Sequence, residues 1–245
     1  MSSRIVLVAV LLLCVPALVL PSTWVDVEVT CPVCGTVNVF KVPASFGTYV
    51  YQDRSRLQYV FWPATTDMFL YTCRRCHLTA YMQDFAEIPA DKITALATML
   101  ERDGAIQGAL LPYYEIPMAT RLDIARKVYE VLERDAEFWC EFDRIAGYHH
   151  AESGRSREAH TARARALTRA ESILETDPQG EQKETLVIVG ALRFLTGDIS
   201  GARAALAEAE LLTYAASNRD SKALDEFLSQ LIQDFRTELL SDGTR

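Results

Sequence analysis

Four cysteines carry the strongest chemical signal in this 245-residue chain, because they form two closely spaced C-x2-C pairs. Such a pair is typical of a knuckle, a tight turn whose backbone N–H groups point at sulfur, and Gly35 after the first pair suits the positive φ of that turn. Four soft thiolates favour tetrahedral Zn²⁺, and a closed shell of four leaves no open position for catalysis. The predicted ligands of this structural zinc site are Cys31, Cys34, Cys73 and Cys76.

Three other interpretations of these cysteines remain open. In an oxidising compartment each C-x2-C pair can close as a disulfide. The run Cys73–His77 also matches C-x-x-C-H, the attachment pattern of c-type haem, although this interpretation leaves the first cysteine pair without a role. The third is thiol–disulfide exchange by one pair, which needs a βαβ context that the sequence does not indicate. The haem ligands would be His77 on the proximal side and Met82, Met99 or Met118 on the distal side.

The N-terminus has the pattern of a targeting segment. A basic Arg4 precedes an uncharged and mostly apolar run, and acidic residues follow it. This order predicts that the rest of the chain lies outside the cytoplasm. Either residues 1–22 are removed as a signal peptide, or residues 5–25 stay as a membrane anchor, since they span about 31 Å as a helix. We therefore expect an extracytoplasmic protein, secreted or anchored; a buried core helix is the alternative.

Charge and composition divide the chain into two regions. The formal net charge is -8, and residues 91–245 carry all of it. Because an acidic protein is repelled by phosphate backbones, we do not expect nucleic acid as a partner. Most cysteines and about half of the aromatic residues lie in the first 90 residues, whereas Ala, Leu, Glu and Arg dominate beyond residue 118. This shift predicts a β-rich head followed by a helical body.

The residue patterns within these regions predict an α+β fold. Residues 23–90 are expected to form a small β-rich zinc ribbon, because the alternating run Val25–Val29 leads as a strand into the first knuckle. Residues 91–117 form a connector interrupted by Gly and Pro. Residues 118–245 have apolar positions at helical spacing, and 186–209 fit the 34-residue tetratricopeptide unit. The body is therefore predicted to be an all-α tetratricopeptide-like repeat domain, with a generic helical bundle as the alternative.

The cysteine segment resembles a bacterial family of uncharacterised proteins. The resemblance rests on both C-x2-C pairs, on the tyrosine- and aspartate-containing insert between them, and on the run Cys73–Tyr81 followed by Asp84-Phe85. That family has a two-knuckle CPxCG…CPxCGY zinc-ribbon-like head followed by tetratricopeptide-like helices, and no established activity. The resemblance implies the same fold here. The chain departs from the family pattern at Arg74 and His77, which replace a Pro and a Gly, and in its export-like leader.

Nothing in the sequence recommends an enzyme, since it has no nucleophile elbow, P-loop, dinucleotide fingerprint or H-E-x-x-H motif. We expect a non-enzymatic zinc protein that holds a protein or peptide partner on its helical surface. His149 and Glu152, spaced i and i+3, form with His160 a weaker candidate for a second metal site. The arginines between positions 155 and 169 are expected to lie on solvated helix faces.

Overall fold

The computed structural model describes residues 24–43, 70–103, 111–177, 180–215 and 221–242. Two β-hairpins come first and helices make up the rest of these ranges, so the predicted α+β class with a helical bulk is confirmed. No helix within the ranges is long and apolar enough to cross a membrane. The predicted leader, residues 1–22, lies outside them, as does most of the segment that joins the two cysteine pairs.

Both sheets are antiparallel hairpins of two strands. The strands are β1 (Trp24–Thr30), β2 (Val37–Pro43), β3 (Leu70–Thr72) and β4 (Thr79–Tyr81). β1 pairs with β2 and β3 pairs with β4. Along β2, Asn38 and Phe40 are buried while Val37 and Val39 are exposed, as the two-residue period of a strand requires. β3 is buried along its whole length, whereas β1 is mostly exposed.

Helices follow the second hairpin directly. They are α1 (Met82–Ala86), α2 (Ile93–Asp103), α3 (Met118–Leu132), α4 (Ala136–Glu152), α5 (Ser156–Leu174), α6 (Gln182–Thr196), α7 (Ile199–Glu210) and α8 (Ser221–Asp242). Local sequence signals set several of the ends. The Asp135 carboxylate caps α4 by accepting from the backbone N–H of Phe138, and Asp198 caps α7 in the same way. Gly197 ends α6 with a φ of 94°.

Two clusters of buried apolar side chains form the core. The first joins both hairpins to α2, α3 and one face of α4. The second lies between α4 and the later helices, and small residues allow its helices to approach closely. A Cβ atom added to Gly190 of α6 would lie 2.7 Å from Cγ of Leu206 on α7, which leaves room only for glycine. The head and the first part of the body therefore share one core.

Helix α3 fixes the second hairpin through two buried side chains. The guanidinium of Arg121, which is 2% exposed, donates from Nη1 to the carbonyl oxygen of Leu70 at 2.8 Å. The Tyr129 hydroxyl accepts from the backbone N–H of Tyr81 at 2.8 Å and donates to Asp84 at 2.7 Å. These hydrogen bonds satisfy the edges of β3 and β4, so the position of the hairpin depends on α3.

Candidate metal centre

The first knuckle connects β1 to β2. The backbone N–H of Cys31 donates to the carbonyl of Thr36 at 2.9 Å, and the N–H of Gly35 donates to the carbonyl of Cys31 at 2.9 Å. Gly35 has a φ of 69°, the left-handed conformation that the sequence predicts for it. The turn brings Cys34 back beside Cys31, so both sulfurs lie on the same side of the hairpin end.

The second knuckle repeats the same hydrogen bonds between β3 and β4. The N–H of Cys73 donates to the carbonyl of Leu78 at 2.8 Å, and the N–H of His77 donates to the carbonyl of Cys73 at 3.0 Å. His77 stands where the first knuckle has glycine, and its φ is 60°. A side chain is uncommon in this region of backbone space. The second knuckle therefore keeps the turn at some conformational cost.

The two knuckles face each other and bring all four cysteines together. Their sulfur atoms lie within 4.8 Å of one another, and separations of 3.6 Å join Cys31 to Cys76 and Cys34 to Cys73. Sulfurs about 2.3 Å from a central zinc ion are about 3.8 Å apart in a regular tetrahedron. The cysteines are free thiols in this structure. The arrangement therefore has the ligand number, chemistry and spacing to hold a metal ion.

Asn38, buried on β2, links the knuckles from within. Its Nδ2 donates to the carbonyl of Thr36 at 3.0 Å and to Sγ of Cys73 at 3.6 Å. Its Oδ1 accepts from the backbone N–H of Arg74 at 3.0 Å. One side chain of the first hairpin thus holds a ligand and the backbone of the second. Neighbours of this kind orient metal ligands.

The clustered thiols shift one another's pKa in opposite directions. The neighbouring thiols of Cys31 and Cys76 hold the pKa of Cys73 far below its usual range, because they stabilise its thiolate. The neighbouring Cys73 raises the pKa of Cys31 to about 12, and the thiols of Cys31 and Cys73 raise the pKa of Cys76. Metal binding requires deprotonated sulfur, and a cation at the centre would favour that form.

An aromatic layer supports the centre on its protein side. Phe40 of β2 stacks on Tyr71 of β3 with ring centroids 4.1 Å apart, and Phe85 and Tyr113 meet Phe40 edge-on at 4.9 and 5.4 Å. The Tyr71 hydroxyl donates to the carbonyl of Lys41 at 2.7 Å, which ties β3 to β2. This layer joins the two hairpins, which have no strand pairing with each other.

The weaker second metal site is not assembled in the described part of the chain, where the four cysteines are the one group that meets the spacing of a metal site. His149 is half-buried in α4, and desolvation lowers its pKa to about 4. Glu152 and His160 are both exposed. The half-buried imidazole of His149 is therefore neutral near pH 7.

The arginines of α5 differ from the expected solvated faces. Arg157 is exposed, as predicted, but Arg165 and Arg169 turn towards the buried carboxylate of Asp143 on α4. The expectation was wrong for these two arginines. Helical periodicity shows which face of α5 a side chain lies on, but it does not show that a buried carboxylate on another helix faces it. The candidate haem ligands Met82, Met99 and Met118 pack against the first core cluster.

Sequence reasoning missed the residues that connect the ligands to the rest of the fold. Arg121 and Tyr129 lie on α3, and the amphipathic pattern of that helix does not indicate which groups their polar atoms bind. Asn38 left a trace, because an amide two residues before the inward-facing Phe40 interrupts the apolar alternation of the strand. A polar residue on an inward strand position indicates a buried hydrogen-bond role.

Comparison of the chain with protein-family models, with curated proteins and with solved structures gave no match.

Proposed function

We propose that this chain is a non-enzymatic zinc-binding protein whose metal stabilises a ribbon-like head and whose helices bind a protein partner. One observation carries the proposal: sulfurs from Cys31, Cys34, Cys73 and Cys76 meet within 4.8 Å. Zinc suits this set because it favours tetrahedral thiolate coordination. Four protein ligands close the coordination shell, so the role of the metal is structural. In this role zinc adds stability that two short hairpins do not supply alone.

The clustering supports zinc over the haem alternative. Attachment of c-type haem uses the sulfurs of Cys73 and Cys76 in thioether bonds, with His77 as an axial ligand. That chemistry gives no role to Cys31 and Cys34, whose sulfurs each lie 3.6 Å from one of the second pair. Disulfides within each pair likewise leave the approach of one pair to the other unexplained.

The arginines of the second knuckle also fit a zinc centre. Zn²⁺ with four thiolates carries a net charge of about −2. Arg74 and Arg75 are exposed beside it and supply two positive charges at the surface. No acidic side chain among the described residues forms an ion pair with either arginine. Their charges are therefore available to offset that of the centre.

The partner and location parts of the proposal rest on the sequence and on the helical bulk. Helices α4 to α7 follow one another in antiparallel pairs, the arrangement that tetratricopeptide-like repeats use to build a binding surface. The likeness to the two-knuckle bacterial family supports the same assignment. The leader supports an extracytoplasmic location, with a membrane anchor if residues 5–25 are retained.

Metal analysis together with an absorbance spectrum tests the proposal. The full chain should be made in cells that attach c-type haem and purified without chelator. We expect about one zinc per chain and no visible band, and we expect zinc to be lost in Cys34→Ser but retained in Cys140→Ala. Cys140 is the matched control because it is buried in α4, away from the cluster. Iron with a Soret band would establish the haem alternative, and absence of both metals would leave disulfides.

A further inference from the structure

A fully buried carboxylate in the helical body gathers three arginines. Asp143 of α4 accepts from Arg126 of α3 and from Arg165 and Arg169 of α5. Nη2 of Arg165 lies 2.9 Å from Oδ1, and Nη1 of Arg169 lies 2.7 Å from Oδ2. One guanidinium fork is enough to pair with both oxygens of a carboxylate. Three arginines therefore exceed what Asp143 needs.

The excess leaves positive charge concentrated in the acidic half of the molecule. Among the described residues, Asp143 is the one carboxylate that pairs with these three guanidiniums, so the group sums to +2. Glu130, one turn along α3, raises the pKa of Arg126 slightly, but no ion pair joins it to the three arginines in the part of the chain that the structure describes. Burial lowers the pKa of Arg126, and the charge of Arg165 adds to that shift. The arginines thus repel one another, and a second anion would relieve that repulsion.

The three arginine side chains are held in place and are still partly exposed. The side chains of Arg126, Arg165 and Arg169 are 22%, 38% and 29% exposed. Arg126 and Arg169 also lie over the ring of Trp139, 5.1 and 5.7 Å from its centroid. Cation–π contact and the buried carboxylate together fix the arginines before any ligand arrives, which lowers the entropy cost of binding.

We propose that this cluster, formed by Arg126, Arg165 and Arg169 around Asp143, binds a doubly charged oxyanion group of the phosphate-monoester type. Such a group carries two charges near neutral pH and offers three acceptor oxygens. It matches the excess positive charge, and its oxygens can accept from the partly exposed arginines. Asp143 is a positioning residue, since it orients the arginines from below and lies out of reach of solvent. The site is independent of the cysteine centre.

A titration with inorganic phosphate tests the site. The full chain is titrated at pH 7.5 and constant ionic strength, with chloride as the reference ion, and followed by calorimetry and by tryptophan fluorescence, to which Trp139 contributes. We expect saturable binding to the unaltered protein. Arg165→Gln and Arg169→Gln should each weaken it about tenfold or more, because each removes a charge-assisted contact.

Arg157→Gln is the matched control, because it removes the same charge from an exposed position of α5. It should leave phosphate affinity unchanged. Absence of saturable binding to the unaltered chain, or equal weakening by Arg157→Gln, would overturn the proposal. The titration of the unaltered chain decides this even if one of the cluster variants folds poorly.

Two peptides identify the source of the oxyanion. A short peptide with one phosphoserine and the same peptide with serine are titrated under identical conditions. Tighter binding of the phosphopeptide than of free phosphate, with no binding of the serine form, supports a phosphorylated protein segment as the ligand. Equal affinity for phosphopeptide and free phosphate supports the free oxyanion. Binding of the serine form with the same affinity as the phosphorylated form would contradict an oxyanion site.

Discussion

The two knuckles follow the same backbone path with different residues. Each closes with two equivalent backbone hydrogen bonds and a left-handed residue, yet the first uses Gly35 for that residue and the second uses His77. Between the cysteines the first knuckle has a proline and a valine, and the second has two arginines. The shared path shows that the spacing of the cysteines and their hydrogen bonds determine the turn, whereas the residue at the left-handed position affects only its stability.

The knuckles also differ in what supports them. β3 is buried along its whole length and the carbonyl oxygen of its Leu70 accepts from Arg121 of α3, whereas β1 exposes most of its residues to solvent. The second knuckle is thus part of the main core, and the first is attached to it mainly through Asn38, Phe40 and the sulfur cluster. The first hairpin should therefore depend on the metal more than the second.

Removal of one ligand from either knuckle should produce the largest effect. Cys34→Ser and Cys76→Ser should each lower the free energy of unfolding of the head by more than about 3 kcal/mol, because folding of small zinc modules is coupled to metal binding. Hydrogen exchange should show that β1 and β2 lose protection first, while the helices from α6 onward keep theirs. Equal protection of the two hairpins in these variants would contradict the inference that the first hairpin depends on the metal more than the second.

Loss of the link between the knuckles should have the next largest effect. Asn38→Ala leaves the backbone N–H of Arg74 without its acceptor, so unfolding should become easier by about 1–3 kcal/mol. Zinc affinity, measured by competition with a chelator, should fall about 10–100-fold. Val39→Ala is the control on the same strand, since Val39 is 56% exposed, and it should change stability by less than about 0.5 kcal/mol. Wild-type affinity in Asn38→Ala would contradict the linking role.

An exchange of residue types at the left-handed position should give smaller effects of opposite sign. Gly35→Ala should destabilise by about 1 kcal/mol, because φ is 69° and an added Cβ meets no atom within 4 Å, so the cost is conformational. His77→Gly should stabilise by about 0.5–1 kcal/mol for the same reason. Urea unfolding measures both.

Gly154→Ala controls for this backbone effect, since Gly154 has a φ of 73° and open space around it but lies outside both knuckles. It should cost as much stability as Gly35→Ala without any change in zinc affinity. If His77→Gly destabilises the protein instead, the contacts of the imidazole contribute more to stability than the left-handed backbone conformation of His77 costs.

The charge difference between the knuckles should have the smallest effect. Arg74→Gln should change stability by less than about 0.5 kcal/mol, because the side chain is exposed. It should weaken zinc binding a few-fold at low salt, and the difference should shrink at high salt as the charge is screened. Arg157→Gln removes an equal charge from the body and should leave zinc affinity unchanged. A difference that does not depend on salt would point to a contact rather than to charge.

Much of the candidate site could be predicted from the sequence, because its turns form between residues that are close together in the chain. C-x2-C spacing and Gly35 specify a turn within five residues, and the helical spacing beyond residue 118 specifies helices for the same reason. The solvated face predicted for the α5 arginines failed because Asp143 lies 22 residues before the first of its partners on that helix. No pattern within a single helix records such a contact.

The sequence by itself determined which four cysteines are the candidate ligands, the form of both turns and the helical body, since each depends on residues close together in the chain. Only the tertiary structure decided which groups stand around those sulfurs. Asn38 meets a cysteine 35 residues away, and Arg121 meets a strand 51 residues before it. These contacts depend on how two hairpins and a helix pack into one core. A polar group that is buried there without a hydrogen bond costs free energy, so each buried group is found with a partner.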